Sequence, residues 1–153
     1  MWWSEQEWEQ LADGETCGMC ADAHLEANPH SILVSSTPTS HMRLARNQAH
    51  PGYSLVILRT HETELTTLDA GTLAAFWSDV QRIGRAIEQV YAPAKVDYLV
   101  MGHRMPHLHC HVFPQHRGDD PLRNVDISDG PVFLDLADMT AAVARLRQAW
   151  DNV

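Results

Sequence analysis

His107-Leu108-His109-Cys110-His111-Val112-Phe113, followed by Pro114, is the stretch on which the fold and the chemistry of this chain turn. In a β-strand alternate side chains share a face. The pattern therefore predicts a strand carrying a row of imidazoles about 6.5–7 Å apart, with Leu108, Cys110 and Val112 entering a core behind them. Near neutral pH imidazole serves as nucleophile, proton carrier or metal ligand. The bland alternative is a solvated strand face that happens to carry histidines, but nothing in sheet stability asks for three of them in register. Cys110, alternating with them, reads as a small buried hydrophobe.

Working outward, Gly102 to Pro106 is a turn, and Lys95 to Met101 is a strand that pairs antiparallel with the histidine strand. Before it, Thr72 to Tyr91 reads as a long helix. Leu73, Phe76, Trp77, Val80, Ile83, Gly84, Ile87, Val90 and Tyr91 recur at three- and four-residue steps there, the mark of a core stripe, and Pro93 stops the helix. Ser31–Val34, His41–Ala45 and Tyr53–Leu58 are strand-like runs spaced for antiparallel hairpins, the last following a Pro51-Gly52 turn. Near the N-terminus Ser4-Glu5-Gln6-Glu7 is a capping box for a short helix through about Ala12; Asp13-Gly14 ends it, and Cys17 and Cys20 fall in the following turn.

Beyond the histidines, residues 115–131 are polar and broken by Asp119-Asp120-Pro121 and Asp129-Gly130-Pro131, a long loop suited to border a pocket. Asp138–Trp150 closes the chain as a helix with Met139, Val143, Leu146 and Trp150 on one side. Strands interrupted by one long helix predict an α+β fold: an antiparallel sheet of about five strands, the long helix and a C-terminal helix. One domain over residues 1–153 is expected, with its core at about 31–115, an N-terminal segment 1–30, and a C-terminal loop and helix 116–153.

Composition narrows the partners. A net charge of -9, with 20 acidic residues against 11 Lys and Arg, opposes nucleic acid polymers and anionic membranes and leaves a small molecule as the expected ligand. No apolar run approaches the roughly 20 residues that span a bilayer, and the first residues lack the basic and apolar regions of a signal peptide, so a cytoplasmic protein is expected. An odd count of three cysteines, two in Cys17-Gly18-Met19-Cys20, reads as metal or redox chemistry rather than a disulfide framework.

Together these segments resemble the histidine triad family of nucleotide hydrolases and transferases, defined by H-φ-H-φ-H-φ-φ with φ apolar. Pro51-Gly52-Tyr53-Ser54-Leu55-Val56-Ile57-Leu58-Arg59-Thr60-His61 is similar to the family's P-G-H-x-L-V-I-P-K-x-H strand, and Gly102-His103-Arg104-Met105-Pro106 to the turn before the triad. With the helix between, the resemblance covers about residues 48–115. It implies that His109 attacks the α-phosphorus and forms a nucleotidyl-histidine intermediate, while His111 bonds phosphoryl oxygens or the bridging atom and helps protonate the leaving group. It implies a structural zinc on Cys17, Cys20, His61 and His107, as in the branch with an N-terminal C-x-x-C; His24 and His30, near in sequence, have no family counterpart. It also implies a homodimer built on the strand pairs and the long helix.

Asn47, Asp97, Gly102, His103 and Arg104 are the candidate substrate contacts. Asn47 suits a ribose contact or a simple turn. Asp97 stands where asparagine is common, Gln115 where arginine often follows the proline, and Leu58-Arg59 where Pro-Lys is usual. An aspartate repels phosphate unless it bonds a ribose hydroxyl or orients a neighbour, and Arg104 is the candidate source of positive charge. Two other functions compete: a metal-dependent enzyme whose H-x-H histidines hold the catalytic ion, and an inactive nucleotide-binding or interaction module.

Overall fold

Short runs of alternating apolar residues between turn formers give five strands: β1 (Ser31–Ser36), β2 (Ser40–Ala45), β3 (Ser54–Leu58), β4 (Lys95–Val100) and β5 (His109–Gln115). In the computed structural model, which describes residues 1–126 and 130–153, they form one antiparallel sheet in the order β1-β2-β3-β5-β4. The Asp129 breaker lies outside the described residues. The helices are α1 (Glu5–Ala12), α2 (Gly18–Asp22), α3 (Ala70–Tyr91) and α4 (Leu136–Asn152). None of the described helices is long and apolar enough to cross a membrane. The fold is thus α+β, with the five strands, long helix and C-terminal helix that the sequence predicts.

One face of the sheet is the floor of the core. Met42, Val56 and Cys110 face one another across β2, β3 and β5 with no exposed surface, and they pack with Phe76, Ile83 and Ile87 of α3 and Leu146 of α4. The helices earn their ends locally. Asp69 accepts hydrogen bonds from the Gly71 and Thr72 backbone N–H groups, which starts α3 at Ala70, two residues before the start at Thr72 that the sequence predicts. Ala92 closes it in the left-handed conformation at φ 45° before Pro93. Gly84 is needed because Tyr98 of β4 lies against it, and any side chain there would meet the phenol oxygen. The stripe holds except at Trp77, which is 39% exposed.

The opposite face carries the chemistry. The cross-strand row Arg43, Leu55, His111, Leu99 lies there, and next to it His41, Ile57, His109. Alternation usually marks a half-buried strand, yet every residue of β2 is buried, because the N-terminal segment covers this face. Arg43 holds it there. Fully buried, its guanidinium donates to the carbonyls of Ala23 and Leu25, each at 2.6 Å, and to the hydroxyl and carbonyl of Ser31 at 2.7 and 3.0 Å. Burial pushes its pKa down, but arginine keeps its proton in proteins, so a charge sits in the fold satisfied by neutral oxygens.

Candidate active site and metal centre

The three histidines do not act as one row. β5 begins at His109, and His107 lies just before it, where its Nε2–H donates to the Leu58 carbonyl at 2.7 Å. A carbonyl can only accept, so the proton of a neutral His107 is on Nε2 and the lone pair on Nδ1. His61 is held the same way, its Nε2–H donating to the Ala12 carbonyl at 3.0 Å. The two Nδ1 lone pairs meet at 3.3 Å. Two lone pairs at that distance repel unless a cation lies between them.

Cys17 Sγ is 3.3 Å from His107 Nδ1, and Cys20 Sγ is 3.4 Å from each of the two Nδ1 atoms. All four donor atoms lie within 4.8 Å of one another. A tetrahedral zinc with bonds of about 2.0–2.1 Å to nitrogen and about 2.3 Å to sulfur has ligand–ligand edges of about 3.3–3.8 Å. Histidine ligands held through their other nitrogen by a carbonyl are the usual outer arrangement. The donor set fits, and Cys17, Cys20, His61 and His107 could hold a metal. Burial, with Cys17 alongside, pushes the Cys20 thiol up to about 11, so a cation would have to drive its deprotonation. Cys17 caps the short helix α2, its Sγ accepting from the Cys20 backbone N–H at 3.5 Å. Gly14, at φ 84°, leaves room for the His61 ring. His24 and His30 are exposed and outside this group.

His109 and His111 face the other way. His109 Nδ1–H donates to the His107 carbonyl at 2.6 Å, which leaves Nε2 with the lone pair. That atom lies 3.0 Å from His111 Nε2, which must therefore be the donor. The ring centroids are 4.7 Å apart, closer than the strand repeat predicts, because the rings tilt together at 70°. His111 Nδ1 then accepts from the Tyr53 hydroxyl at 2.7 Å. Burial pushes the pKa of His109 down, against the His107 carbonyl that favours its proton. Burial and then the neighbouring His109 take His111 down to about 4. Both rings are neutral at pH 7. Cys110, between them in sequence, faces the core with its thiol pushed up to about 12 by burial, and is inert.

A cavity of about 340 Å³ opens over these two rings, lined also by Leu99, Met101, Met105, Val125, His103, Arg104 and Asp126. His103 and Arg104 thus share this cavity with the two histidines, and the His103 carbonyl accepts from Trp3 Nε1–H at 2.7 Å. Gly102 sits in the same turn, just outside the lining. Asp97 and Gln115 line a neighbouring groove of about 830 Å³, which meets the histidine cavity at Leu99 and Val125. The Asn47 side-chain oxygen accepts from the Ala49 and Val132 backbone N–H groups at 3.1 and 3.0 Å, fastening the returning loop. Sequence reasoning missed Tyr53. Its ring stacks on Phe113 at 4.2 Å, and it occupies the histidine position of the P-G-H strand, the one signal that marked it.

Comparison with known proteins agrees with this geometry. Over 119 residues the chain is 24% identical to the bifunctional bis(5'-adenosyl)-triphosphatase/adenylylsulfatase FHIT of Arabidopsis thaliana, covering 74% of this chain and 65% of that protein, slightly under two thirds of its length. A histidine triad protein from Bradyrhizobium japonicum superposes with a TM-score of 0.72 at 21% identity, over 78% of this chain and 90% of that one. A zinc-bound histidine triad family protein from Mycobacterium smegmatis does so with 0.68 at 23% identity, over 90% and 94%. The model of the HIT domain matches residues 26–118, more than half of the chain. By that match and by the fold beneath its paired imidazoles, the chain belongs to the HIT domain family.

Proposed function

We propose that this protein is a nucleotide hydrolase or nucleotidyl transferase that cleaves at the α-phosphorus through a covalent intermediate on His109. The observation that carries the reading is the His109 ring: its Nδ1–H is tied to a backbone carbonyl at 2.6 Å and its Nε2 lone pair is turned to the cavity side beside His111. A neutral imidazole so held needs no separate base to attack phosphorus. In the first half-reaction the His109 Nε2 lone pair forms an N–P bond, and the bond from phosphorus to the leaving group breaks, its electron pair departing with that group. His111 Nε2–H is placed to hydrogen-bond the departing atom. In the second half-reaction water, or an acceptor hydroxyl, forms the new P–O bond, the N–P electron pair returns to His109, and the proton of the attacking oxygen is released to solvent. Arg104, in the cavity wall, supplies positive charge for the phosphoryl oxygens.

Membership of the family and the adenosyl substrates in the name of the Arabidopsis relative support a nucleotide such as a nucleoside phosphoramidate or a dinucleoside polyphosphate. The Cys2His2 group would hold a structural zinc, whose contribution when bound is to fix the N-terminal segment beside the catalytic strand. The thiol ligands suit a reducing, cytoplasmic compartment. Tyr98 and Val100, partly exposed on the edge strand β4, and Trp77, partly exposed on α3, support a homodimer interface built on that strand and helix.

The test is chemical trapping. Protein quenched in denaturant during turnover of an adenosine phosphoramidate or a dinucleoside triphosphate should carry one nucleotidyl group by mass spectrometry. Folded His109→Ala should carry none and lose activity by a factor of about 10³ or more. Turnover by folded His109→Ala at the wild-type rate would sink the reading.

A further inference from the structure

We propose that Tyr53 is a positioning residue that fixes which nitrogen of His111 carries the proton, so that an N–H rather than a lone pair is aimed at the reacting centre. The inference rests on the nucleotidyl-transfer reading and deepens it. Three hydrogen bonds run in series from Tyr53 through His111 and His109 to the His107 carbonyl, at 2.7, 3.0 and 2.6 Å. Only one proton order satisfies them all with neutral rings. The carbonyl accepts, so His109 carries its proton on Nδ1. His109 Nε2 then accepts, so His111 carries its proton on Nε2. His111 Nδ1 must accept, and the Tyr53 hydroxyl is its donor.

The reaction removes one of the two restraints on His111. Once phosphorus takes the His109 lone pair, nothing on that side holds the His111 proton on Nε2. Tyr53 remains. It is 8% exposed, its ring is fixed by stacking on Phe113 at 4.2 Å, and His111 Nδ1 is the hydrogen-bond partner of its hydroxyl among the described residues. If the phenol turned to accept from an Nδ1–H tautomer, its own buried proton would lose that partner, and a buried donor left unpaired disfavours that arrangement. Burial also pushes its ionisation up, so it keeps its proton at any working pH. A histidine at this position, as in the P-G-H pattern, donates or accepts according to its own tautomer. A phenol does not share that ambiguity.

Tyr53→Phe keeps the stack and removes only the hydroxyl. In protein labelled with ¹⁵N-histidine, the two ring nitrogens of His111 should report the Nε2–H tautomer in the wild type. In Tyr53→Phe they should report a mixture or the Nδ1–H form. With nucleotide substrate kcat should fall about tenfold or more while KM stays within about twofold, and Tyr53→His, which can donate, should recover part of the loss. An Nδ1–H tautomer in the wild type, or an unchanged tautomer and kcat in folded Tyr53→Phe, would overturn the proposal. The tautomer is read without substrate. A tautomer shift in a protein that turns over no nucleotide would therefore count against the functional reading and leave the role of Tyr53 in ordering the relay intact.

Discussion

A neutral imidazole buried at His111 ties stability to pH. Unfolded, the ring titrates near 6.5; folded, near 4. Between those values the unfolded chain binds the extra proton and the folded chain does not, so the contribution is fully present above about pH 6.5 and is lost as pH falls toward 4. Two and a half pKa units correspond to a loss of order 3 kcal/mol. Urea unfolding at pH 7.0 and pH 4.5 should show a smaller drop for His111→Asn, which cannot charge, than for the wild type. Equal drops in the two proteins would mean that the acid sensitivity lies elsewhere, in the metal ligands for example. At this scale the residue types were legible and their directions were not. The alternating triad marks three imidazoles, but that His107 turns its lone pair away from the other two follows from the Leu58 carbonyl, 49 residues distant in sequence. The P-G-H pattern marks the position of Tyr53, but its bond to His111 is hidden for the same reason, the partner being 58 residues away.

The elements were read from periodicity and punctuation, and they depart where a single local bond decides. α2 is five residues long, too short for a periodic signal, and is started by the Cys17 side chain as N-cap. β5 starts two residues later than the histidine pattern predicts, because His107 leaves the ladder to meet the cysteines. Trp77 continues the helical stripe in sequence, but the stripe is wider than the face α3 buries. Phe76, wholly buried in that face, should cost about 3–5 kcal/mol on truncation to alanine, measured as a change in urea midpoint at constant m-value. The α2 segment makes a sharper prediction. Protein prepared without chelators or a metal-binding tag should carry about one zinc per chain. Cys17→Ser and Cys20→Ser should lose the metal and with it thermal stability, while His109→Ala and His111→Ala retain it. Metal lost equally from Cys17→Ser and His109→Ala would show that the triad itself holds the ion.

For the whole molecule, β4 is an edge of the sheet with no further strand paired to it among the described residues; Tyr98 and Val100 are partly exposed on it, and Trp77 is partly exposed on α3. Edges of this kind are covered in stable proteins, and a second copy is the occupant the family resemblance implies. Sedimentation at micromolar concentration should give the dimer mass, and Tyr98→Glu with Trp77→Glu should give the monomer; a wild-type monomer at that concentration would remove the homodimer proposal. Arg43 bears on a different question, that of where a module of this kind can be cut. The stretch alike to the family begins at residue 26, yet two of the oxygens that satisfy the buried guanidinium belong to Ala23 and Leu25, just upstream. A fragment trimmed to the border of the likeness would keep its cation and discard half of the groups that solvate it. The border of the family match and the border drawn by electrostatics therefore do not coincide, and a working graft of this fold onto another protein would have to begin upstream of the first to keep its buried cation solvated.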